Sequence, residues 1–168
     1  RKMMEDASAT VVEVDGAEQV PAAVADYLKS NNMPARVRHG DDPLIAGLDW
    51  SSQPILEVES GRAVPSDTTS VSAAFCAVAE SGTLYMTSGA DNPTTLNFLP
   101  ENHIVVLRAS DIEGNFEECF TRLRAKYGEG HMPRVLNMIS GPSRTGDIEQ
   151  KILLGAHGPK RMHIIILR

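Results

Sequence analysis

The chain has 168 residues, 42% of them hydrophobic and 23% charged, with a formal net charge of −6. That length suits one domain able to bury its own core. The acidic balance argues against nonspecific nucleic-acid binding, which needs a basic surface. No apolar run approaches the roughly 20 residues of a membrane-spanning helix, and Arg1 to Asp6 lack the apolar stretch of a secretory signal.

In chain order, Val11 to Val14 read as a strand and Asp15-Gly16 as a turn. A helix follows with Pro21 in its first turn and Val20, Val24, Tyr27 and Leu28 on one face. Asn31-Asn32 ends it, and Ala35 to Arg38 resemble a second strand, so the chain opens as an α/β unit. Gly40 to Gln53 read as loops around a short turn, and Ile55 to Val58 as a third strand. From Thr69, the small and β-branched residues around Ala73, Phe75, Ala77 and Val78 fit either a buried strand or a tightly packed helix. Gly82 breaks the run, Thr83 to Thr87 alternate as a strand, and Asn92-Pro93 open a short helix closed by Pro100. His103 to Leu107 form a strand.

Ser110-Asp111-Ile112-Glu113 has the form of a capping box, and Ile112, Phe116, Cys119, Phe120 and Leu123 continue at helical spacing. A helix is therefore expected over Asp111 to Lys126, with Gly114 inside it. Arg134 to Ile139 form a strand, Asp147 to Leu154 a helix stopped by Gly155, and Met162 to Leu167 a last strand. Strands alternating with helices predict a mostly parallel sheet covered on both faces. Cys76 and Cys119 lie far apart within apolar patterns, and no C-x-x-C provides a redox dithiol. Two thiols cannot supply the four that an iron–sulfur cluster usually takes. Both are expected as reduced packing residues of a cytoplasmic protein.

Chemistry concentrates between Ser140 and Pro159. Ser140, Gly141, Ser143, Arg144 and Thr145, set between a strand and a helix start, would aim backbone N–H groups and a guanidinium at an anionic ligand. The alternative is a self-capped turn in which Arg144 pairs with Asp147 or Glu149. Neither the P-loop order nor the dinucleotide G-x-G-x-x-G occurs here. His157, in the turn His157-Gly158-Pro159, is either a proton shuttle or a ring bonded to a backbone carbonyl. Glu80, before Ser81-Gly82, could be a carboxylate at the ligand edge of the sheet, a base or nucleophile, or a local cap. His103 reads as structural, and His39, His131 and His163 lack metal-ligand spacing, so no metal site is expected.

The run Ser140 to Glu149, with Leu154-Gly155-Ala156-His157-Gly158-Pro159, closely resembles the signature of the LUD-domain family, of the lactate utilization protein C type. Ala79 to Leu84 and Leu99 to Val106 agree with it, so the resemblance covers roughly the C-terminal 100 residues. It implies one LUD-type domain over 1–168, a three-layer α/β/α fold with a mostly parallel sheet similar to the sugar-isomerase and CoA-transferase group. It also implies a role in oxidizing L-lactate to pyruvate beside iron–sulfur partner proteins, which would carry the clusters. In the CoA-transferase relatives a Glu before a small residue and Gly carries the acyl group, and Glu80-Ser81-Gly82 looks like that position. Gly146 stands where the family more often has Ala, and the chain is short where relatives carry an extra N-terminal helical segment.

The first expectation is an accessory, non-redox subunit of an iron–sulfur lactate-oxidizing system, cytoplasmic and with no cofactor of its own. The first alternative is an isomerase or acyl/CoA-transfer enzyme using Glu80 and Arg144. The second is a module sensing an organic acid or acyl-CoA through the Ser143 to Asp147 loop. Ser140, Gly141, Ser143, Arg144, Thr145, Asp147 and His157 are the expected ligand-binding residues.

Overall fold

The computed structural model describes residues 1–148, 151–155 and 157–168. The chain runs α1 (Lys2–Asp6), β1 (Thr10–Val14), α2 (Val20–Ser30), β2 (Arg36–His39), α3 (Pro43–Ala46), β3 (Glu57–Ser60), β4 (Thr69–Ala73) and β5 (Cys76–Val78). It continues through β6 (Thr83–Thr87), α4 (Thr95–Phe98), β7 (Asn102–Arg108), β8 (Ile112–Glu113) and α5 (Phe116–Tyr127). The chain then finishes with β9 (Leu136–Ile139), β10 (Arg144–Ile148), β11 (Lys151–Leu154) and β12 (Arg161–Leu167).

Six strands form a parallel sheet in the order β1-β12-β7-β4-β2-β3. Its centre is the apolar runs of β7 and β12, with Val105 paired to Ile164 on one side and to Ser72 on the other. Strands buried on both faces favour such runs, which is why β7 and β12 do not alternate, while β4 (Thr69–Ala73) is buried throughout with small residues. On one face Val20, Val24 and Leu28 of α2 pack with Val37, Val71, Ile104, Val106 and Ile165. The periodic apolar stripe of α2 supplies this contact, and Pro21 costs nothing in its first turn.

The other face of the sheet, with Val105, Leu107, Met162, Ile164 and Ile166, packs on Ala77, Leu84 and Met86 and on Met4 of α1. These belong to a second sheet, β8-β5-β6-β9, in which β5 pairs antiparallel with β6 and β6 with β9. Helix α5 backs that sheet: Cys119 and Leu123 meet Cys76, Val78 and Tyr85, with Phe116 and Phe120 around the Tyr85 ring. The fold is thus α/β, with the helices of one face, the parallel sheet, and the second sheet with its helix as layers. The two thiols, distant in sequence, share this layer, are free, and are pushed up by burial. No described helix is long and apolar enough to cross a membrane.

Two local expectations are corrected. Helix α5 begins at Phe116, and its capping box is Asn115 with Glu118: the Asn115 side chain accepts from the Glu118 N–H at 3.1 Å, and Glu118 accepts from the Asn115 N–H at 3.3 Å. This choice leaves Gly114 outside the helix, where it would cost about 1 kcal/mol against Ala. It also frees Ile112-Glu113 to pair with Ala77-Val78. Arg122 then ties the preceding turn to α5 through Asp111 at 2.6 Å and Glu113 at 2.8 Å.

The second correction concerns Asp147 to Leu154, expected as a helix. Arg144–Ile148 and Lys151–Leu154 are instead antiparallel strands, with Thr145 opposite Leu153 and Ile148 opposite Lys151. Thr145, Ile148 and Ile152 are β-branched, and such residues favour the extended backbone. No helix N-terminus therefore stands behind Ser143 and Arg144. Glu149 and Ala156 lie outside the described residues, and Asp147 is described only as strand backbone.

Candidate functional site

The candidate site is built by the segment after β9 and the turn before β12. Gly141 has φ +74°, a left-handed conformation that favours glycine. A Cβ there would stand 2.0 Å from the carbonyl oxygen of Ala7, so only glycine lets this turn lie against the end of α1. Arg144 fixes the same contact from the other side by donating to the Ala7 carbonyl. That guanidinium therefore spends one donor on the fold, a use neither sequence alternative contained.

Ser143 is the knot between the two segments. Its N–H donates to Pro159 O at 2.9 Å, its carbonyl accepts from Gly155 N–H at 2.9 Å, and its hydroxyl accepts from His157 N–H at 3.2 Å. Ser140 is joined by its hydroxyl to Thr83 at 2.8 Å, and Thr83 to Ser81 at 2.8 Å. This hydroxyl chain links the turn carrying Glu80 to the Ser140 loop.

Between these parts opens a cleft of about 280 Å³. Ser140, Gly141, Ser143, Arg144 and His157 all line it, so the structure brings together five of the residues singled out from sequence. Thr145 lies on β10 opposite Leu153 and does not line it. Glu80 does not line it either: it is exposed in the turn between β5 and β6 of the second sheet, not at an edge of the parallel sheet. Gly82, which follows with φ +69°, packs against Met3 and Met4 of α1.

The sequence reading missed Asn97, Phe98, Met138 and Met162, which complete the cleft. Asn97 is only 2% exposed, and among the described residues its Oδ1 has no hydrogen-bond partner. A buried acceptor left unpaired is costly, so a donor brought to this wall of the cleft is favoured. The signal was present in Leu96-Asn97-Phe98-Leu99, a single amide inside an apolar helix. Phe98, Leu99 and Met138 remain 42, 46 and 45% exposed, giving this region an apolar rim.

The remaining candidates are structural. His103 is fully buried in β7, shares a 2.6 Å hydrogen bond with the Ser72 hydroxyl, and is pushed down to about 4 by burial. His163 is likewise lowered to about 4 by burial; it bonds the Thr10 hydroxyl at 2.8 Å and stacks on Tyr27 at 4.0 Å. His39 stacks on Trp50. Among the described residues no group of three or more His, Cys, Asp or Glu could hold a metal ion.

Residues 66–167 match the LUD domain. The chain is 31% identical over 151 residues to an uncharacterized protein of Neisseria meningitidis, a match covering 87% of this chain and 64% of that one. It is 33% identical over 91 residues to lactate utilization protein C of a Geobacillus species, covering 54% of this chain and 38% of the relative. Against lactate utilization protein C of an Exiguobacterium species the identity is 32% over 123 residues, covering 71% and 52%. The chain thus spans from about a third to under two thirds of the length of these relatives. The crystal structure of a DUF162-family protein from Deinococcus radiodurans superposes with a TM-score of 0.69 at 22% identity, over 99% of this chain and 93% of that one, and so shares its fold.

Proposed function

The chain belongs to the LUD-domain family, and from that membership we propose that it serves L-lactate utilization as an accessory, non-redox subunit in the cytoplasm. Electrons taken from lactate on the way to pyruvate pass through iron–sulfur partner proteins, and this chain binds to them. The carrying observation is the apolar rim of Phe98, Leu99 and Met138 around a cleft built by the segment that the family shares. Exposed apolar side chains gathered in one region support an interaction surface. The two cysteines fit a subunit that carries no electrons: both are occupied in packing behind the second sheet.

The test is copurification from the organism that encodes the protein. Wild-type protein retains its iron–sulfur lactate-utilization partners, and Phe98→Asp with Met138→Asp releases them without loss of fold. Retention by the double variant would refute the docking surface.

A second reading has its own observation. The Asn97 Oδ1, unpaired among the described residues, with the Ser140 hydroxyl and the Arg144 guanidinium, suits a small molecule carrying both a hydroxyl and a carboxylate. Lactate has that pattern, and so the cleft would report its presence to the partners. A thermal-shift series with lactate and pyruvate tests this: ligand at a hundred times its Kd adds about 2.7 kcal/mol. The shift disappears in Asn97→Ala if the reading holds.

A further inference from the structure

The Ser140–Pro159 cleft sits at the amino ends of the parallel strands. Pro159 stands two residues before β12, and Lys160 donates its N–H to Glu101, just before β7. Open parallel sheets instead present ligand crevices outside the carboxyl ends, where neighbouring strands send their connections in opposite directions. Here that point lies between β2 and β4. From β2 the chain leaves outward to the edge strand β3, and from β4 it leaves toward β7 on the other side.

A crevice of about 540 Å³ lies next to that point, larger than the cleft at the amino ends. Ser88 and Gly89 border it and also border an adjoining hollow lined by Asp42, just past β2, and by Ala74, just past β4. Arg62, two residues beyond β3, and Arg134, two residues before β9, both line the crevice. Among the described residues neither guanidinium has an ion pair, in a chain whose net charge is −6.

The hydroxyls complete the pattern. Ser88 Oγ accepts from Val135 N–H at 2.9 Å, and Thr95 Oγ1 accepts from Ala63 N–H at 3.1 Å. Each hydroxyl oxygen is thereby held by a backbone donor, which leaves its own proton free to donate into the crevice. Two guanidiniums and two O–H donors approach from four separate segments. A carboxylate occupies one guanidinium edge, whereas a tetrahedral dianion accepts from several directions at once. Pro93 and Val135 add an apolar wall, and the volume exceeds that of an inorganic anion. Asp91 borders the adjoining hollow, with its carboxylate beside Gly89, which both cavities share.

We propose that the Arg62–Arg134 crevice binds a small phosphomonoester, its phosphate held by the two guanidiniums with Ser88 and Thr95 and its organic part on Pro93 and Val135. This goes beyond the subunit reading, and it stands or falls without it.

Isothermal titration at constant ionic strength tests the proposal with three probes: inorganic phosphate, glycerol phosphate and glycerol. Both phosphates saturate, glycerol phosphate binds more tightly, and glycerol does not bind. Arg62→Ala and Arg134→Ala each weaken binding by at least about tenfold, the loss of a charge-assisted contact. Both side chains are exposed, so the fold survives their loss, and circular dichroism verifies it. Arg124→Ala, on the exposed side of α5, leaves the affinity unchanged. Failure of both phosphates to saturate overturns the proposal, as does binding indifferent to Arg62 and Arg134. Equal affinity for the two phosphates overturns the ester assignment and leaves an anion site only.

Discussion

Two glycines with nearly the same backbone conformation isolate the energy that holds α1 to the candidate site. Gly141 has φ +74° and Gly130 has φ +73°, so alanine meets the same left-handed penalty at both. That penalty is roughly 1–2 kcal/mol, partly offset by about 0.4–1 kcal/mol of lost unfolded-chain entropy. At Gly130 nothing stands within 4 Å of the added methyl, so Gly130→Ala costs about 1 kcal/mol. At Gly141 the methyl meets Ala7 O at 2.0 Å and Ala7 Cβ at 3.2 Å. The end of α1 must withdraw, and with it goes the bond from the Arg144 guanidinium, worth about 1.5–3 kcal/mol for a charged donor. Gly141→Ala therefore costs about 3 kcal/mol, some 2 kcal/mol more than its control. Urea unfolding reads the difference: with a slope of about 2 kcal/mol/M, the two midpoints separate by about 1 M. Equal midpoints would refute the claim that Ala7 packing locks the loop.

Three further outcomes follow from the fold. Asn115→Ala costs about 1 kcal/mol in urea unfolding, whereas Ser110→Ala leaves the midpoint nearly unchanged, because only Asn115 caps α5. His103 and His163, both lowered to about 4 by burial, stay neutral in the fold while the unfolded chain protonates near 6.5. Stability is thus highest above pH 6.5 and falls as pH drops toward 4, by about 1.4 kcal/mol per pH unit for each histidine; midpoints identical at pH 7 and pH 5 would contradict this. Burial pushes the Asp67 carboxyl up, but hydrogen bonds from Arg38 and from the Val64 N–H outweigh it and hold the group below its usual range. Asp67→Asn leaves Arg38 with Glu59 as its remaining carboxylate partner, so it costs about 2–3 kcal/mol, toward the low end for a broken buried pair. The wild-type contribution is present above the ordinary carboxylate range and is lost as pH falls through the lowered value, which a midpoint series from pH 5 to pH 2 detects.

The parallel sheet was legible because its strands carry their signal locally. Met162 to Leu167 and His103 to Leu107 are runs that a strand buried on both faces requires, and Val20, Val24 and Leu28 repeat at helical spacing. The second sheet was not legible as a sheet, because Thr83 to Thr87 find partners in Cys76 to Val78 on one side and Leu136 to Ile139 on the other. Those pairings are long-range facts that no local pattern encodes. The cap of α5 failed for a different reason: Ser110 and Asn115 both offer boxes, and the cost of enclosing Gly114 decides between them. The hairpin of β10 and β11 shares Ile148, Ile152 and Leu153 with the expected helix, since three apolar residues at that spacing satisfy either period. Of the site, the Ser140 to His157 residues were visible by type. Asn97, Phe98 and Met138 come from α4 and β9 and join the cleft only through tertiary packing. The Arg62–Arg134 crevice depends on strand order and so lay beyond a reading along the chain.

A role in lactate utilization is tested by growth on L-lactate as sole carbon source. Deleting the gene in the organism that encodes it abolishes that growth while growth on pyruvate continues. The wild-type gene restores it, and Phe98→Asp with Met138→Asp does not. Undiminished growth of the deletion strain on L-lactate, with no second copy of the gene, would contradict the account.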